Sequence, residues 1–118
     1  MTHRIYTYSG CDACRKALKY LAARGLSSKN IPIRETPPNR TELVAMLAAY
    51  DGNIKKLFNT SGRDYREKKL SATIGTLSED EAFALLQNNG NLVKRPFFIG
   101  EGVALVGFKA EVWDAALI

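Results

Sequence analysis

The chain has 118 residues, 46% hydrophobic and 25% charged, with 17 basic against 12 acidic side chains and a net charge of +5. That size and balance predict an ordinary soluble globular protein, one domain over 1–118, and exclude a membrane-spanning one. Met1-Thr2-His3-Arg4 leads directly into Ile5-Tyr6-Thr7-Tyr8 with no signal-peptide core, so the expected location is cytoplasmic. The modest positive charge suits anionic ligands or acidic partners, but no arginine-rich tail or base-stacking stripe predicts direct nucleic-acid binding.

Arg4 to Tyr8 alternates, with Ile5 and Thr7 on one face and Tyr6 and Tyr8 on the other, which predicts a strand broken by Ser9-Gly10. From Cys11 onward Cys14, Ala17, Leu18, Leu21 and Ala22 recur at helical spacing, and Arg24-Gly25 forms a stop. Lys29 to Arg34 reads as a second strand whose Pro32 suits an edge or an irregular position. Asn39 or Thr41 caps a helix expected to bury Leu43, Val44, Leu47 and Ala48 before the Asp51-Gly52 stop, and a short helical turn through Ile54, Leu57 and Phe58 follows.

Asn59-Thr60-Ser61-Gly62 is a polar turn, and Arg63 to Leu70 reads as a charged helical stretch. Ser78 with Glu81 is a capping box opening a helix through Phe83, Leu85 and Leu86. Two apolar runs around Gly100-Glu101-Gly102 then form a hairpin with Phe97 and Phe98 in the core, and Lys109 to Ile118 closes as a helix with Val112, Trp113 and Leu117 inward. The predicted fold class is α/β, a mixed four-stranded sheet with helices on both faces and a helical insertion at about 39–90 between the second and third strands. This is the thioredoxin-like architecture, with a right-handed parallel crossover first and an antiparallel hairpin last. Pro96, at the start of the third strand, occupies the place where such folds set a cis-proline beside the thiols.

Cys11 and Cys14 are the only cysteines, spaced as C-x-x-C between the first strand and the first helix. In a reducing compartment this pair is redox-active or metal-binding rather than a structural staple. Zinc needs about four ligands, and beyond the pair there is only His3, read as an exposed terminal residue, so no metal is expected short of sharing across a dimer. A thiol titrates near 8.5 and must ionise to attack, so help is needed. Cys11 at a helix N-terminus has that help from backbone N–H groups and from Arg15, four residues on, which makes it the expected nucleophile.

Cys14 is either the resolving thiol or a small buried apolar residue. Arg95 either approaches the thiols, stabilising a thiolate or gripping an oxyanion, or is a surface arginine at a strand start. Asn59, Thr60 and Ser61 either add polar contacts to a substrate or simply form a turn. Lys55-Lys56 and Lys68-Lys69 read as solvated helix faces.

Tyr6 to Leu18, Glu35-Thr36-Pro37-Pro38 with Arg40, Leu57 to Gly62 with Tyr65-Arg66-Glu67, Lys94-Arg95-Pro96 and Val106-Gly107-Phe108 together resemble the glutaredoxin-coupled arsenate reductase (ArsC-like) family and its Spx-like branch. The resemblance implies a thioredoxin-like domain whose catalytic cysteine is matched by Cys11. In the reductases three arginines hold the oxyanion. Arg95 matches one of them, Asn59 and Gly107 stand at the other two positions, and Thr7 stands where the reductases have a histidine. Two lost guanidinium bonds at roughly 1.5–3 kcal/mol each weaken oxyanion binding.

Cys14, Arg15-Lys16 and Val106-Gly107 followed by an aromatic point instead to the Spx-like branch. Some members of that branch regulate transcription by docking on the C-terminal domain of the RNA polymerase α subunit, and Gly52 sits where they use a docking glycine, although Asp51-Gly52 is also a plain helix stop. The resulting expectation is a thiol–disulfide redox protein with Cys11 as nucleophile, Cys14 as resolving thiol and Arg15 and Arg95 tuning charge. It needs no bound cofactor and draws electrons from glutathione or a glutaredoxin- or thioredoxin-type partner. A redox-sensing regulator is the alternative, and a residual arsenate reductase the third reading.

Overall fold

The structure, a computed structural model, describes residues 3–118. Four strands, β1 (Arg4–Thr7), β2 (Lys29–Pro32), β3 (Phe97–Gly100) and β4 (Val103–Val106), form one sheet in the order β2-β1-β3-β4. β2 is parallel to β1, and β3 and β4 are each antiparallel to their inner neighbour. This is the mixed thioredoxin-like sheet that the element order predicts.

β2 is the edge that Pro32 requires. Lys29 and Ile33 donate to His3 and Thr7 across the parallel ladder at 2.8 and 2.9 Å, so the alternate position 32 turns its missing N–H away from β1. The strand ends at Pro32 rather than Arg34, and β1 ends at Thr7 rather than Tyr8, because the chain then turns to feed the helices.

Helices cover both faces. α1 (Asp12–Ala23) and α6 (Ala110–Leu117) pack over Ile5, Phe98 and Leu105, with Ala17, Leu21 and Trp113 between them. On the other face α2 (Arg40–Ala49), α3 (Arg63–Glu67), α4 (Leu70–Thr73) and α5 (Glu79–Asn88) cover Tyr6, Phe97 and Ile99. The strand alternation places Ile5 and Tyr6 in opposite cores, and Phe97 and Phe98 likewise. The Ser78–Glu81 capping box is present, and of the two candidate caps for α2 it is Asn39 that caps the helix, in a second box with Glu42.

Four expectations need correction. α2 buries Glu42, Leu43, Met46 and Leu47, and leaves Val44 and Ala48 outside, because Tyr6 Oη and Arg4 Nε each bond Glu42 at 2.6 Å and fix the helix rotation. Arg63 to Leu70 is two short helices, because Lys69 adopts a left-handed conformation that lets Tyr65 and Leu70 enter one core. Val112 is 45% exposed, since Trp113 alone fills the inward position of α6, with Leu117 only partly covered. His3 stacks on Phe98, with ring centroids 5.2 Å apart, at the end of the sheet opposite the thiols.

Candidate active site

β1 delivers the chain to the end of the sheet, and a tight turn, with Cys11 N–H donating to Tyr8 C=O at 3.1 Å, brings it to the start of α1. Cys11 is the N-cap: its backbone is extended and its Sγ accepts the Cys14 amide at 3.3 Å, the place where an oxygen side chain usually sits. Cys14 lies one turn on, 1% exposed, and both thiols are free. The Arg95–Pro96 peptide is cis.

The two sulfurs are made chemically unequal by their surroundings. Burial pushes the Cys11 thiol up, but hydrogen bonds from the Cys14 thiol and amide, with hydrogen bonding and charge from Arg95, outweigh it and hold Cys11 below the ordinary thiol value. Burial first, and then the Cys11 sulfur, push Cys14 up to about 12. The arrangement makes Cys11 the more readily ionised sulfur and Cys14 the one that keeps its proton, the asymmetry suited to a disulfide exchange in which one sulfur attacks and the other resolves.

Arg95 reaches Cys11 from the segment before β3. Its guanidinium carbon stands 5.1 Å from the centre of the Tyr8 ring, which also carries Arg34 at 4.0 Å. Arg95 Nη1 is buried with no hydrogen-bond partner, an unspent donor.

Arg15 is engaged elsewhere: it donates to Ser9 C=O at 2.7 Å and pairs with Asp12. The Asn59-Thr60-Ser61 segment is tied into the fold through its backbone, with Asn59 N–H on Leu92 C=O at 2.7 Å and Ser61 C=O accepting Arg66 at 2.7 Å. Only Thr60 of the three lines a recess, shared with Lys55, Lys56 and Lys94. Gly52 is exposed at φ +79°, where its N–H donates to Leu47 C=O at 2.9 Å and ends α2. Thr7 donates its hydroxyl to Asn30 Oδ1 at 2.6 Å behind Cys14.

Two clefts flank the dithiol. One, about 490 Å³, reaches Cys14 between Tyr8, Ser9, Asn30 and Arg34. The other, about 390 Å³, runs from Ala13 and Arg95 between Val106 and Phe108, with Lys56, Lys94 and Lys109 on its walls. Sequence reasoning missed Tyr8 and the three lysines. Lys94 adjoins Arg95-Pro96 and was findable, whereas Lys56 and Lys109 meet only through the fold.

Residues 6–116 match the ArsC family. The chain belongs to the ArsC family. It is 40% identical to the uncharacterized protein YusI of Bacillus subtilis (strain 168) over 114 residues, covering 97% of each chain. It superimposes with a TM-score of 0.90 on an ArsC-family-related protein from Bacteroides fragilis, at 40% identity and 98% coverage of both chains. It is also 29% identical to the global transcriptional regulator Spx of Enterococcus faecalis (strain ATCC 700802 / V583), over 91% of this chain and 80% of that one. Of the three arginine positions that the ArsC resemblance implies, only Arg95 holds a guanidinium. At Gly107, with φ +69°, a Cβ would stand 3.2 Å from Lys94 Cε, so the Lys94 stem occupies the space next to that backbone.

Proposed function

We propose that this ArsC-family protein is a thiol–disulfide oxidoreductase in which Cys11 attacks and Cys14 resolves. The observation that carries the reading is the inequality of the pair: an N-cap Cys11 held below the ordinary thiol value by Cys14 and Arg95, beside a buried Cys14 pushed up to about 12. The Cys11 thiolate forms a mixed disulfide, which removes the contribution of the Cys11 sulfur to holding the Cys14 proton and leaves that of burial. Cys14 then attacks Cys11 Sγ and passes its proton to the departing thiolate. Two molecules of glutathione, or one glutaredoxin- or thioredoxin-type dithiol, return two electrons to the pair and leave as the disulfide. Arg15, already paired with Asp12, acts at most by its distant charge, and Asn59 and Ser61 serve the turn.

The test is equilibration in glutathione buffers, followed by thiol trapping and mass measurement. The expected product is a reversible Cys11–Cys14 disulfide, lost in Cys11→Ser and replaced by a trapped mixed disulfide in Cys14→Ser. Oxidation confined to Cys11 in the native chain would leave Cys14 structural.

A second reading, a redox-dependent regulator, draws on the similarity to Spx and on the exposed Gly52. It predicts that the C-terminal domain of the RNA polymerase α subunit binds this chain with an affinity that changes with thiol state and is lost in Gly52→Arg. Arsenate reduction is the weakest reading, with one of three oxyanion arginines retained, and arsenate-dependent oxidation of glutathione with glutaredoxin present would revive it.

A further inference from the structure

The larger of the questions left by a dithiol is which disulfide it meets, and the two flanking clefts differ in a way that bears on this. The cleft beside Cys14 has mixed charge: it includes Glu35, and its arginines are spent, Arg15 on Asp12 and Ser9, and Arg34 on Asn91 and the Tyr8 ring. The cleft beyond Arg95 contains Lys56, Lys94, Arg95 and Lys109 and no acidic residue. Among the described residues none of these four cations takes part in an ion pair, although six of the chain's 12 carboxylate side chains pair with arginines elsewhere. Three lysines without an ion pair, on one concave wall beside Arg95, cost self-repulsion that an anionic occupant relieves.

The cleft is also apolar in part. Val106, Phe108, Trp113 and the exposed Val112 give it an apolar lining, and the Lys94 stem lies close to Gly107. Its volume, about 390 Å³, lies in the range of organic-ligand pockets. An inorganic oxyanion has four oxygens and no apolar body, so it would use the cations and leave the apolar lining unused. Arg95 belongs both to this cleft and to the Cys11 thiolate's surroundings, so a ligand sulfur in contact with Cys11 places the rest of that ligand along the lysine wall.

We propose that this cleft is a specificity subsite for a small organic disulfide bearing carboxylates, with Lys56, Lys94 and Lys109 selecting its negative charge. The inference rests on the oxidoreductase reading above and names its substrate class. Cys11 thiolate attacks the anionic disulfide RS–SR, forming Cys11–S–S–R and releasing RS⁻. Cys14 then attacks Cys11 Sγ, the second RS⁻ leaves and takes the Cys14 proton as RSH, and the protein disulfide holds the oxidation equivalent. Two electrons pass from the dithiol to the substrate, which becomes two thiols. The apolar lining holds the carbon chain, and the lysines hold its carboxylates as mobile point charges rather than as forked clamps for a fixed oxyanion.

The experiment measures oxidation rates of the reduced full-length protein by three disulfides of similar size: dithiodipropionate (dianionic), hydroxyethyl disulfide (neutral) and cystamine (dicationic), each corrected for its rate with a free small thiol. The expected result at low salt is a preference of roughly tenfold for the dianion over the neutral compound, with the dication slowest, collapsing at high salt. In the triple variant Lys56→Gln/Lys94→Gln/Lys109→Gln the dianion-to-neutral ratio falls to near one, while Lys68→Gln, outside the cleft, keeps the native ratio. Circular dichroism of each variant checks that the fold is intact, and the single Lys109→Gln, at an exposed position, gives an intermediate ratio if the triple variant fails to fold. Equal rates for all three disulfides, or a native ratio in the lysine variants, would overturn the subsite and leave the dithiol chemistry standing. Failure of every disulfide to produce Cys11–Cys14 would overturn the oxidoreductase reading itself.

Discussion

Cys11 owes its character to three neighbours of different kinds: a backbone amide, a second thiol and a guanidinium. Because its pKa is lowered, the thiolate persists to lower pH than in a free cysteine, and the rate of alkylation should rise with a midpoint below the usual thiol value. Arg95→Gln removes one hydrogen-bonding and charged neighbour, so the midpoint should move upward. Rapid alkylation followed by mass spectrometry across pH checks this, and an unmoved midpoint would show that Arg95 has no part in holding the thiolate. Tyr8 belongs to the same unit, since the guanidinium groups of both Arg34 and Arg95 stand against its ring. Tyr8→Leu should shift the midpoint in the same direction but less, whereas Tyr8→Phe, which keeps the ring, should not.

The contact between α2 and β1 depends on a buried carboxylate. Glu42 is 3% exposed and accepts from Tyr6 Oη, Arg4 Nε and the Asn39 amide, so one side chain caps a helix and anchors it to the central strand. Glu42→Ala would leave the Tyr6 hydroxyl unsatisfied in the core and open the capping box, at a cost of about 2–4 kcal/mol. Urea unfolding measures it, and a loss below about 0.5 kcal/mol, the level of an ordinary surface change, would contradict this account. The turn between α5 and β3 is equally constrained. A Cβ on Gly90 would lie 1.9 Å from the Ile33 carbonyl oxygen, a backbone atom that cannot swing aside. Gly90→Ala should therefore cost about 3 kcal/mol, seen as a lowered Tm.

For the molecule as a whole, buried thiol and phenol groups shape its behaviour in alkali, Cys14 and Tyr6 foremost among them. Cys14 and Tyr6 both have folded pKa values raised above their unfolded ones, Cys14 through burial and then Cys11, Tyr6 through burial and then Glu42. Such groups stabilise the fold fully below their unfolded pKa, and that contribution is lost as pH rises toward the folded value. Stability should accordingly fall from about pH 8.5 upward as Cys14 begins to differ, and more steeply above about pH 10, where unfolded tyrosine ionises. Urea midpoints between pH 8 and 11 in Cys14→Ala and Tyr6→Phe test the assignment. Each variant, whatever its starting stability, should show a shallower decline than the native chain.

Elements whose cause is local were legible from the amino acids. The Ser78–Glu81 capping box, a polar cap for α2 at Asn39 or Thr41, the Gly25 stop, the edge position of Pro32 and the placement of the C-x-x-C between β1 and α1 all follow from neighbours within a few residues. Together with the element order they specified the sheet, and the motifs specified the family. Features whose cause is distant were not. Val44 and Val112 look as apolar as their buried neighbours, and only the grip of Tyr6 on Glu42 and the bulk of Trp113 decide which face turns inward. Arg15, adjacent in sequence, is drawn away by Asp12, while Arg95, 84 positions beyond Cys11, comes to the thiolate. The lysine cleft has the same origin. Lys56, Lys94 and Lys109 lie on three separate segments, of which Lys56 alone reads as part of a solvated face, and they form one field only because the sheet and α6 set them around a common hollow. Local pattern chose the elements and the reacting sulfur, and three-dimensional packing chose the charges that surround it.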